Sequence, residues 1–123
     1  MTIEQTRNDL APRLMPLGAQ AGRHLPVLTG PPESVTMRSG YVTLHPRESI
    51  GRHSTGANEE LLVVLSGGGK MHFPAHRSLD LRAPCTAYCP PHTEHDVTNT
   101  GKGPLRYVYV VAGVSSRAVL SHP

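Results

Sequence analysis

From Ser34 onward, short runs rich in β-branched and aromatic residues alternate with clusters of turn formers. The runs are SVTMRSGYVTLH, IGRHS, ELLVVLS, KMHFPA, SLDLR, TAYC, EHDVTN, LRYVYVVA and RAVL. Between them stand Pro46, Gly51, Gly56, Gly67-Gly68-Gly69, Pro74, Pro84, Pro90-Pro91, Gly101 and Gly103-Pro104. Strands spaced at roughly 8–12 residues with no helical period between them predict an all-β, antiparallel sandwich or barrel. Leu61–Leu65 and Tyr107–Val111 are apolar on both strand faces. Such strands need cover on both sides, from a second sheet and the chain's own arm or from a second subunit, so a homodimer is expected.

The preceding segment follows another pattern. Residues 1–32 hold Pro12, Pro16, Pro26, Pro31 and Pro32 and no sustained 3.6-residue apolar period. Each proline removes a backbone donor and restricts its predecessor, which predicts an irregular arm with one helical turn near Ile3–Leu10. The expected organisation is an arm over 1–32 and one barrel domain over 33–123. A chain of 123 residues fits a single domain.

Composition narrows the function. No stretch approaches ~18 consecutive apolar residues, so no membrane span is expected. The first thirty residues contain no apolar core of a secretory signal, and a cytoplasmic protein is the default. A net charge of +3, without blocks of like charge and with one Phe and four Tyr, argues against a nucleic-acid partner. Cys85 and Cys89 lie four apart; on a strand they would sit about 13 Å from each other on one face, beyond disulfide reach. They read as small buried hydrophobes. Glycines 67–69 lack the Lys-Ser/Thr and helix of a phosphate loop and read as a hairpin turn.

The outlier is histidine, with eight residues, and histidine is the commonest metal ligand. Two segments could converge. One runs from His53 past Thr55 to Glu59-Glu60 and on to Gly67; the other runs from Pro90-Pro91-His92 through Glu94-His95 to Asn99. Some forty residues separate them, and an antiparallel barrel can lay them side by side.

The second segment resembles the second motif of the cupin superfamily, P-x-G-x-x-H-x-x-x-N, through Pro90, His95 and Asn99, with His92 where the family prefers Gly. The first resembles the first cupin motif: His53, then Glu60, six residues and Gly67, with Thr55 where a second His is usual. The chain is thereby identified as similar to small single-domain cupins over roughly residues 40–112. The resemblance implies a small jelly-roll barrel holding a divalent transition metal (Fe, Mn, Ni or Zn) through His53, Glu60 and His95. It further implies a metal-dependent, dioxygenase-like or isomerase reaction on a small oxygenated organic substrate. The alternative it leaves open is a non-catalytic small-molecule binding or sensing barrel with a degraded metal site.

Two imidazoles and one carboxylate match the facial triad of non-haem iron oxygenases and a three-ligand catalytic zinc site. Thr55, His72 and His92 are the substitutes for the missing fourth ligand, and His92 and Glu94 the candidates for proton transfer. Blander roles stand beside these. His53 could be a surface turn residue, Glu60 an ion-pair partner of Arg52 or Arg106, and His95 a core histidine. His24 carries no argument from sequence, and Tyr107 and Tyr109 read first as core fillers.

Overall fold

The computed structural model describes residues 10–18 and 22–114. Among them are nine strands: β1 (His24–Thr29), β2 (Arg38–Leu44), β3 (His53–Ser54), β4 (Asn58–Ser66) and β5 (Gly68–Phe73), then β6 (His76–Arg82), β7 (Cys85–Cys89), β8 (Glu94–Thr98) and β9 (Leu105–Gly113). The runs after Ser34 account for β2 to β9. The run RAVL and all but the last residue of the helical turn expected near Ile3–Leu10 lie outside the described residues.

The strands form two antiparallel sheets, one of five strands in the order β1-β2-β9-β4-β7 and one of four in the order β3-β8-β5-β6. Alternation within each strand sends every second side chain between the sheets. Along β4, Glu60, Leu62 and Val64 are buried, whereas Leu61 and Leu65 are exposed. The core joins Val42, Leu44, Leu62, Val64, Leu105 and Tyr107 of the larger sheet to Met71, Phe73, Leu81 and Val97 of the smaller one. Each such large apolar side chain contributes about 1.5–3 kcal/mol by leaving water.

Two expectations are corrected. The span 1–32 is not irregular throughout, because β1 pairs with β2 from His24↔Val42 to Thr29↔Arg38. Pro26 is tolerated there because β1 is an edge strand, and the register shifts between Pro26 and Leu28. Glycines 67–69 do not close a hairpin. β4 belongs to the five-stranded sheet and β5 to the four-stranded one, so the glycines carry the chain from sheet to sheet. Gly67 has φ of 82°, and a Cβ there would stand 2.2 Å from the Pro104 carbonyl oxygen, so only glycine fits this corner.

Among the described residues, the cover expected over the apolar strands is complete on one face only. On the outer face Leu61 lies between Val110 of β9 and Tyr88 of β7, with Leu61 40% and Tyr88 52% exposed.

Candidate metal centre

β3, β4 and β8 bring three side chains of different sequence origin to one point. His53 faces His95 in the β3–β8 register, with ring centroids 4.2 Å apart. Glu60 enters from β4. The potential ligand atoms of His53, Glu60 and His95 all lie within 4.8 Å of one another. Glu60 and His95 are buried and His53 is exposed toward the opening. A transition-metal site with ligand distances of ~2.1 Å needs only small side-chain adjustment to close on these atoms.

Hydrogen bonds fix which imidazole nitrogens face the centre. His53 Nδ1 lies 2.8 Å from the Gly51 carbonyl oxygen, and His95 Nδ1 lies 3.0 Å from that of Thr93. A carbonyl only accepts, so both rings carry their proton on Nδ1 when neutral and turn an Nε2 lone pair inward. This is how metal-binding histidines are normally oriented. His95 Nε2 stands 2.8 Å from Glu60 Oε1. With a proton on Nε2 the two make a buried ion pair; without it a lone pair faces the carboxylate. A lone pair facing a buried carboxylate is unfavourable unless a proton or a cation lies between them.

Burial opposes protonation of His95, but the Glu60 carboxylate, the Thr93 carbonyl and Asp96 favour it, and its pKa moves up from the ordinary value. Cys89, opposite Glu60 in the β4–β7 register, is a free thiol 3.5 Å from His95 Nδ1. Burial, reinforced by Glu60, pushes it up to about 11, so it stays protonated and is a poor ligand. Burial and Glu60 likewise push the Tyr107 and Tyr109 phenols up.

The neighbouring sequence candidates have other places. Glu59 points to the outer face and accepts a hydrogen bond from the Tyr88 hydroxyl at 2.8 Å. The buried Thr55 hydroxyl donates to the Pro90 carbonyl at 2.7 Å and accepts from the Thr93 N–H at 3.1 Å. Its work is to pin β3 to the turn before β8. His72 lies on β5 between the buried Met71 and Phe73 and faces away from the core. His92 is exposed, with φ of 54° at the position where the motif prefers Gly. Glu94 is exposed on β8. None of His72, His92 and Glu94 lines the cavity over the three ligands. Neither Arg52 nor Arg106 pairs with Glu60; among the described residues its partner is His95.

That cavity has a volume of about 640 Å³, the size of a small-molecule pocket. Its far wall uses residues that carried no functional argument in the sequence. His24, Leu28 and Thr29 come from β1, Arg38 from β2 and Tyr109 from β9. His24 Nε2 and the Tyr109 hydroxyl are 2.8 Å apart, and the two rings stack. This pair lies over Gly40, where a Cβ would stand 2.5 Å from His24 Nε2 and 2.6 Å from the Tyr109 oxygen. Only the alternation of His24-Leu-Pro-Val-Leu marked that segment as a strand, and Pro26 concealed it.

Residues 40–111 match the family model described as Cupin domain. A cupin 2 conserved barrel domain protein from Salinispora arenicola is 18% identical over 91% of this chain and 99% of its own, with a TM-score of 0.69. A Bacillus halodurans protein is 19% identical over 91% and 86%, with a TM-score of 0.71. A Thermotoga maritima protein described as a predicted oxalate decarboxylase is 22% identical over 63% of this chain and 66% of its own, with a TM-score of 0.59. At these identities the likeness shows a shared all-β double-stranded fold. No curated protein matches the chain.

Proposed function

The chain belongs to the cupin family, and from that premise we propose that it is a metal-dependent enzyme acting on a small oxygenated organic molecule, dioxygenase-like in its chemistry. His53, Glu60 and His95 hold the metal, a divalent ion of the Fe, Mn, Ni or Zn type. The observation that carries this reading is the convergence of the potential ligand atoms of His53, Glu60 and His95 within 4.8 Å of one another, with the buried His95 Nε2 turned inward 2.8 Å from a Glu60 carboxylate oxygen. When bound, such a metal supplies a Lewis acid and open positions at which substrate oxygens are oriented. The chain's own residues do the rest. The Gly51 and Thr93 carbonyls hold the two rings in the metal-binding tautomer. Leu62, Val97 and Ile50 line the cavity beside the three ligands and limit water there.

The test is elemental analysis of protein purified without a histidine tag. About one transition metal per chain is expected, with uptake abolished in His95→Ala while the barrel still melts cooperatively. Unchanged metal content in that variant overturns the assignment. Oxygen uptake by iron-loaded protein across a panel of hydroxylated and keto acids then tests turnover.

One observation favours a second reading, a barrel that binds its ligand without transforming it: His92 and Glu94, the sequence candidates for proton transfer, stand outside the cavity. Tight ligand binding by the metal-loaded protein with no turnover would select it. We also propose a homodimer formed on the outer face around the exposed Leu61 and Tyr88 and the half-buried Val110. Light scattering should give twice the chain mass, and Leu61→Lys should shift it toward the monomer.

A further inference from the structure

The cavity has two chemically different ends. At one end are His53, Glu60 and His95; at the other is Arg38, on the same rung of the sheet as Glu60. Both Arg38 and Glu60 pair with Val111 of the strand between them. Two strand spacings therefore separate their backbones, roughly 10 Å. Both side chains line the same cavity.

Among the described residues Arg38 is in no ion pair; those within 4.0 Å are Lys70–Asp80 and His95–Glu60. The guanidinium is a permanent cation with a fork of donors suited to a carboxylate. Around it the lining is apolar or neutral, with Leu28, Val111, Thr29 and the Tyr109 hydroxyl, while the Glu33 carboxylate accepts from the Thr29 hydroxyl outside the lining. Glu60 is the one acidic side chain lining the cavity. A divalent ion held beside it leaves the lining positive, and Arg38 adds to that charge. Such a cavity concentrates anions and selects one that reaches both ends.

We propose that Arg38 forms a carboxylate subsite, so that the ligand is a small organic acid with an oxygen donor at the metal end and a carboxylate at the Arg38 end. This rests on the metal reading for the first end only; the second stands on Arg38 and its surroundings. The Tyr109 hydroxyl, set by His24 over Gly40, adds a neutral donor beside the guanidinium. A phosphate monoester fits less well, since its dianion calls for several converging donors and no second Lys or Arg lines the cavity.

The experiment measures binding by titration calorimetry to cobalt-loaded and metal-free protein, with succinate, its monoamide succinamate and inorganic phosphate as probes. Succinate should bind roughly tenfold or more tightly than succinamate, which has only one carboxylate for two ends. Arg38→Gln should erase that preference, and Arg38→Lys should keep part of it. Cobalt stoichiometry and the cobalt absorption spectrum should stay unchanged in both variants. Equal binding of the two probes, a preference that survives in Arg38→Gln, tighter binding of phosphate, or no succinate binding at millimolar concentration would each overturn the subsite. Failure of the wild type to take up cobalt would instead count against the metal centre. On metal-free protein, weaker succinate binding by Arg38→Gln than by the wild type would still support the Arg38 end, and equal binding would overturn it.

Discussion

The two walls of the cavity are built on opposite plans. On the β3–β4–β8 side each functional group is held by another: both histidines are anchored through Nδ1, and Thr55 ties β3 to the turn that leads into β8. On the β1–β2 side Arg38 is exposed and, among the described residues, in no ion pair; the side chains fixed there are His24 on the Tyr109 hydroxyl, Ser39 on the Tyr109 carbonyl and Thr29 on Glu33. On the proposed reading, the difference matches a wall that meets a small rigid ion and one that meets a variable organic molecule. Metal geometry tolerates little error, so its ligands are preset. A long guanidinium at a mouth can follow ligands of different length.

Changes on either wall should separate the two plans. The largest effect is expected from Glu60→Ala. Structural metal sites draw ~10–16 kcal/mol from their ligands, so losing one of three should weaken metal affinity roughly a thousandfold, as read by competition with a chelator. Next is Asn99→Ala, which strikes both walls through their common support. Asn99 donates to the Leu44 and Gly103 carbonyls and accepts from the Gly101 N–H, tying the end of β8 to the end of β2. Its loss should cost about 3 kcal/mol in denaturant unfolding, with the metal stoichiometry of the folded protein preserved. Gly40→Ala should drive His24 from Tyr109 and weaken succinate binding by roughly tenfold, leaving metal uptake intact. Equal loss of both functions would mean that the walls are not separable.

Acidity gives a smaller effect. The folded-state pKa of His95 lies above its ordinary value. The associated stability of the metal-free protein is present below the ordinary histidine pKa near 6.5 and lost as pH rises through the folded value. The slope cannot exceed the one-proton limit of about 1.4 kcal/mol per pH unit. Metal competes for the same nitrogen, so metal affinity should rise over the same window. The smallest effect is expected from His92→Gly, which relieves a left-handed backbone and should raise stability by about 0.5 kcal/mol in thermal melts without altering metal content.

Most of the barrel was legible because its signal is local. Alternation and turn residues mark β2 and β4 to β9, and the spacing of Glu60 from Gly67 distinguishes it from Glu59, which the sheet sends outward. The far wall was not legible. β1 carries a proline and a register shift, so its pattern imitates an arm, and nothing near His24 in the chain announces a partner 85 residues away. Thr55 was read as a departure from a ligand pattern, whereas its hydroxyl joins the two motif segments, a role that depends on a carbonyl 35 residues on. The corner at Gly67 was missed for the same reason. A hairpin and a change of sheet use the same residues locally, and only long-range pairing separates them.

β1 is an edge strand, joined to the sheet by its ladder to β2 and by His24 on Tyr109, and lies before the span, residues 40–111, that defines the family match. On the proposed reading, the portion of the molecule that chooses a guest is clipped to an edge, while the anchorage for the ion stays in the frame. A graft of residues 22–39 onto another barrel of this kind should carry selectivity with it and leave the host's metal behind.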